Sequence, residues 1–138
     1  MIKVHIDCLE GACDIELKKD QESYHLVAIL STSGFLKEKG KAWYAKTSKE
    51  DSILEIRDLI HASYQNPSLP GRISINDGIQ IAFSLTENGQ EITQVCKDVE
   101  EGTREFQLIH KLIALVKDLV KDPVLNNYIN IVENYTSH

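Results

Sequence analysis

The sequence predicts an α+β fold: one antiparallel sheet of about six strands, a single crossover helix and a C-terminal helical hairpin, in one domain over residues 1–138. Three observations predict it. Apolar residues alternate strictly at Ile2, Val4, Ile6 and again at Ile79, Ile81, Phe83, Leu85, the period of a strand with one buried face. They recur at helical spacing in three other stretches, the last two separated only by a short break. A length of 138 residues with 42% apolar side chains suits one core and one domain of ordinary size.

The elements follow in chain order. Ile2, Val4 and Ile6 face one way, and Lys3, His5 and Asp7 the other, giving a short first strand. Glu10-Gly11-Ala12 reads as a turn, residues 14–17 as a second short strand, and residues 18–22 as a charged connection. Residues 23–31 carry Tyr24, Leu26, Val27, Ala28, Ile29 and Leu30. Apolar residues at both parities predict a strand covered on both faces. Residues 41–47 place Trp43 and Ala45 on one face, Tyr44 and Lys46 on the other.

A helix is expected next. Ser48-Lys49-Glu50-Asp51 has capping-box spacing, with Asp in the usual Glu position. Ile53, Ile56, Ile60 and Tyr64 form its stripe, Leu59 widens it, and Asn66-Pro67 ends it. Residues 72–96 are expected as a three-strand meander. Asn88-Gly89 is the strongest hairpin signal in the chain, because both positions of a type I′ turn need positive φ. That turn pairs Glu87 with Gln90, Leu85 with Ile92 and Ser84 with Thr93. A three-residue turn over residues 76–78, with Gly78 left-handed, keeps Ile75 opposite Ile79 and Ile73 opposite Ile81.

Residues 103–121 read as a helix whose apolar residues, Phe106 to Val120, cover more than half its circumference, so it must be packed on more than one side. Asp122-Pro123 is an N-cap followed by Pro at the first helical position. Leu125, Tyr128, Ile129, Val132 and Tyr135 stripe the last helix, which folds back on its predecessor.

Charge narrows the partners. The chain has 15 basic and 21 acidic side chains, a net −6. Residues 1–48 balance at seven of each, so the whole excess lies in residues 49–138. A negative surface repels phosphate backbones, which argues against nucleic acid and for a basic protein partner. The longest unbroken apolar runs, residues 26–30 and 112–116, are far below the ~20 needed to span a membrane. Early charge at Lys3 and three cysteines, an odd number, point to reduced thiols and a cytoplasmic setting.

The chemical motifs fall short of a reaction. His5, Cys8 and Cys13, with His25 as a distant fourth, match no regular zinc knuckle, and Cys is among the residues most often simply buried. Cys96, Asp98 and His110 could form a nucleophilic trio only by tertiary approach. Gly71, Gly78 and Gly89 are isolated turn glycines and not a phosphate cradle. The expectation is therefore a protein that is not an enzyme, with no cofactor and no metal. Asp98, Glu100, Glu101 and Glu105 lead into the long helix as an exposed acidic surface. Acids there also suit the helix dipole, which explains them without any partner. As contact groups they would steer a basic partner, with Tyr128 and Tyr135 of the last helix, or Trp43 and Tyr44 of residues 41–47, as aromatic anchors.

The run Asp77 to Leu85, the Asn88-Gly89 turn, the acidic connection and the two terminal helices resemble small bacterial toxin-immunity proteins. The resemblance rests on size, acidity and arrangement over the second half of the chain, and no binding residue is carried over from it. It implies a cytosolic, non-enzymatic inhibitor that offers acidic groups to a basic toxin domain. The alternative expectation is an adaptor or chaperone-like module that binds a partner helix in an apolar groove along residues 106–120. A homodimer through that same helix is a third possibility.

Overall fold

The computed structural model describes residues 1–32, 40–66, 79–96 and 102–136. Six strands form one antiparallel sheet: β1 (Ile2–Cys8), β2 (Gly11–Asp20), β3 (Ser23–Thr32), β4 (Lys41–Thr47), β5 (Ile79–Glu87) and β6 (Gln90–Cys96). Their order is β4-β3-β2-β1-β5-β6, with α1 (Glu50–Gln65) crossing over between β4 and β5. The helices α2 (Arg104–Leu119) and α3 (Pro123–Thr136) close the chain as a hairpin. The expected α+β architecture is the observed one.

β1 sits at the centre, and its alternation sets the two faces. Ile2, Val4 and Ile6 are buried, while Lys3, His5 and Asp7 are exposed. Ile6 lies between Cys13 and Ile81, and Val4 between Ile15 and Phe83, so apolar rows run across the sheet beneath the helices. β2 is longer than expected. The 18–22 connection is strand to Asp20, then a turn in which Gln21 takes φ 56°. Leu9-Glu10 joins β1 to β2, and Gly11 follows at φ 142°, a value that favours glycine.

Among the described residues the opposite face carries no helix, which corrects the reading of β3 as covered on both sides. Leu26, Ala28 and Leu30 point inward, but Val27 is only half-buried and Ile29 is 42% exposed. Trp43 and Ala45 of β4 pack on the core as expected, and Tyr44 faces out at 77% exposure.

α1 does not use the capping box. Lys49 is the N-cap residue without a side-chain cap bond. Thr47 Oγ1 accepts from Lys49 N–H instead, and Ser48 O accepts from Glu50 N–H. Ile53, Ile56 and Ile60 are buried, but Tyr64 is exposed and Ser63 takes the inward place. The β5–β6 turn is as expected: Asn88 and Gly89 have φ 51° and 76°, and Leu85 pairs with Ile92. The meander strand expected from residue 72 and the Gly78 turn lie outside the described residues. Both edges of β5 are taken, by β1 and β6.

α2 is the helix most enclosed. Thr103 caps it, Oγ1 accepting from Phe106 N–H, and Leu108, Ile109, Leu112, Ile113, Leu115 and Val116 are all buried. It runs antiparallel to α1, tied by Lys111–Glu55 at 2.7 Å, by Lys49–Asp118 and by Ser63–Glu105. Lys117–Glu133 at 3.0 Å links it to α3. The ion pairs among these are exposed and add little net stability, so the buried apolar rows carry most of it. Asp122 caps α3, accepting from Val124 and Leu125 N–H. Desolvation works against its charge, but the bonds from Leu125, the Trp43 indole and Val124 outweigh it and hold the carboxyl below its usual range.

Two substitutions separate these contributions in a urea titration. Leu112→Ala opens the fully enclosed core and is expected to cost about 3 kcal/mol. Gly89→Ala meets open space around the added Cβ, so only backbone strain remains, about 1 kcal/mol. Equal losses from the two would contradict this ranking.

Candidate functional site

Three helix-layer residues expected at the contact surface can be placed, and they differ. Glu105, read from the sequence as exposed, is 6% exposed and accepts a 2.7 Å bond from Ser63 Oγ. Its burial arises from the α1–α2 contact, 42 residues away in sequence, so the expectation of an open acidic side chain there is corrected. Asp98, Glu100 and Glu101 lie outside the described residues. Tyr128 is also buried: its hydroxyl donates to Gly11 O at 2.9 Å, and Cys8 Sγ lies 3.6 Å from it. It fastens α3 to the β1–β2 hairpin.

Tyr135 is the one of the three at the surface. Its hydroxyl lies 3.1 Å from both carboxylate oxygens of Glu10. Burial, then the bond to Glu10, raises its pKa above the ordinary phenol value. Beside Glu10 at the hairpin tip stands Leu9, 81% exposed and the most exposed large apolar residue described. The fold thus brings an apolar tip, a carboxylate and an aromatic ring to one corner. Leu9 and Glu10 escaped the sequence reading because their only local signal is a turn. Their partner Tyr135 is 125 residues away.

The thiols occupy the interior behind this corner. Cys8 Sγ contacts Gly11 O at 3.4 Å, and burial raises its pKa. Cys13 is fully buried, and burial pushes its thiol up to about 12. His5 points to the opposite face, so the sheet itself divides the His5–Cys8–Cys13 set. The Cys96 and Asp98 side chains lie outside the described set. His110 stacks on Phe106 at 4.1 Å and lies 3.4 Å from Thr136 Oγ1. No group of three His, Cys, Asp or Glu side chains among the described residues could hold a metal ion.

A cleft of about 280 Å³ opens where α1 crosses the ends of β1, β2 and β5. Its floor includes Ile2, Leu17, Ile53 and Leu85. Charges at its mouth pair with one another, Lys19–Glu50 at 3.9 Å and Arg57–Glu87 at 3.6 Å, and His61 Nε2 lies 3.2 Å from Glu87. Along α2, Leu108, Ile109, Leu112, Ile113, Leu115 and Val116 are buried against its neighbours, while Phe106 and Leu119 are partly buried. No described helix is long and apolar enough to cross a membrane.

The sequence matches no protein-family model, and neither a characterised protein nor a solved structure is significantly similar to it.

The Tyr128–Gly11–Cys8 contact and the Cys13 thiol give a pH-dependent readout. A thiol raised by folding stays neutral in the folded chain while the unfolded chain ionises near pH 9. Stability is therefore complete below pH 9 and falls as pH rises towards 12, with a slope on the order of 1.4 kcal/mol per pH unit for one group. Cys13→Ala is expected to flatten that slope, and Tyr128→Phe to cost about 1 kcal/mol at neutral pH by leaving Gly11 O only the weak bond from the Cys8 thiol. Denaturant midpoints measured from pH 7 to 11 check both.

Proposed function

We propose that this chain is a non-enzymatic protein-binding inhibitor of the immunity type, one that neutralises a basic bacterial toxin domain through an acidic contact surface. The observation that carries the reading is the corner formed by Leu9, Glu10 and Tyr135, on a chain with net charge −6. Tyr is among the side chains that most often anchor an interface, and here Glu10 orients it beside an exposed apolar residue. The carboxylate excess supplies the long-range attraction that speeds encounter with a cationic surface. Asp98, Glu100 and Glu101 are proposed as further carboxylates of that surface. A nuclease-like toxin fits the chemistry, because a site that binds phosphate backbone is positive. The setting proposed for this encounter is the cytoplasm.

The reading is tested by co-expression with basic nuclease toxin domains, beginning with any encoded next to this chain's gene. Growth rescue and a complex that weakens as salt rises are expected. Glu10→Lys is expected to weaken binding about tenfold, chiefly through slower association, and Leu9→Asp about a hundredfold through faster dissociation. Binding unchanged by both substitutions would remove this corner from the interface. Absence of rescue by the unaltered chain would remove the inhibitor reading itself.

A further inference from the structure

The outer face of the sheet carries a charge pattern that is complementary to itself. In the order β4-β3-β2-β1-β5-β6 the centre of the sheet falls between β2 and β1. Across that line His5 pairs with Asp14, and Lys3 with Glu16. His5 Nδ1 is 2.6 Å from Asp14 Oδ1, and Lys3 Nζ is 3.8 Å from Glu16 Oε1. All four side chains are about half exposed. The basic groups of both rows stand on β1 and the acidic groups on β2.

A half-turn about an axis along the strands, through this line, lays β1 of one copy over β2 of another at the same height. His5 then faces the second copy's Asp14, and Lys3 its Glu16, each match occurring twice. Like charges do not meet in either row. On the flanks, Ile29 and Val27 of β3 pass over Ala82 and Ser84 of β5, small residues that leave room for them. Aligned sheets pack with a turn of about 30°, which shifts the edge strands but preserves the match near the axis. The charge match therefore lies on β1 and β2, not at Tyr44 on the edge.

We propose that a second copy of this chain covers the outer face, sheet against sheet, on this two-fold axis. A partner of one net sign would satisfy one of the two strands and oppose the other. A second copy gives Asp14 and Glu16 each a basic side chain from its own chain and one from its neighbour, while Asp7, at the end of the face, lies over the neighbour's Ala12. The area suffices. Six strands at ~4.8 Å and seven residues at ~3.4 Å make a face of roughly 700 Å². Two such faces bury about 1,400 Å², within the ~1,200–2,000 Å² of stable specific interfaces. The Leu9–Glu10–Tyr135 corner involves the helix side and the hairpin tip, so this dimer leaves the proposed toxin surface open and stands or falls independently of it.

Sedimentation equilibrium of the full chain from 1 to 100 µM tests the proposal, with twice the 15.6 kDa chain mass expected. Two double variants sharpen it. Lys3→Glu with His5→Glu makes both central rows wholly acidic, and Asp14→Lys with Glu16→Lys makes them wholly basic. Each alone is expected to associate at least ~100-fold more weakly than the original chain. Mixed one to one they are expected to restore the dimer as a heterodimer, which a misfolded variant could not do. A monomeric original chain at 100 µM, dimers indifferent to both variants, or variants that fail to recombine would each overturn the proposal.

Discussion

The pairing of β1 on both of its edges is the constraint on which the rest depends. Ile2, Val4 and Ile6 are buried only because β2 and β5 lock the strand at one register from both sides. Side chains alternate with period two, so a slip of one residue would turn Lys3, His5 and Asp7 under the helices and Ile2, Val4 and Ile6 into water. That same register aligns Cys13, Ile15 and Leu17 with Ile81, Phe83 and Leu85 as the floor on which the helices rest. It also sorts the charges: whatever β1 excludes from the core becomes the outer face.

The helix layer is held from the other direction. α2 lies between α1 and α3 and buries most of its circumference, as its composition demanded. The polar groups enclosed with it are paired, Glu105 with Ser63 and Thr136 with the Val132 carbonyl. Buried polar atoms of this kind add little net stability, but they are costly to leave unmatched, so they fix how the helices sit against one another.

Much of this was legible in the sequence because the signals were local. The Asn88-Gly89 turn, the Asp122-Pro123 start and the apolar periods of β1, β5, α2 and α3 each depend on residues within a few positions. The errors arose where a distant partner decides. Ser48 looked like a cap, but Thr47 supplies the oxygen. Apolar residues at both parities of β3 suggested two covers, yet the chain has no third layer for Ile29 among its described elements. Glu105 looked solvated until α1 closed over it. The candidate site was the least legible part, since Leu9, Glu10 and Tyr135 meet only after the hairpin and the last helix have docked.

The position of β1 also orders events during synthesis. β1 to β4 can assemble as consecutive hairpins while the chain is still emerging, since each pairs with its neighbour in sequence. The second edge of β1 must wait for β5, because Ile2 pairs with Leu85. Over that interval the ribosome has produced a half-sheet with an open, apolar-faced edge and no helix hairpin above it. Closing so large a loop is slow compared with forming a local turn, and an unpaired edge invites the wrong neighbour. β1 is thus secured on one edge well before the other, and the nascent half-sheet passes through a stage with a bare strand edge that only a distant stretch of the same chain can close.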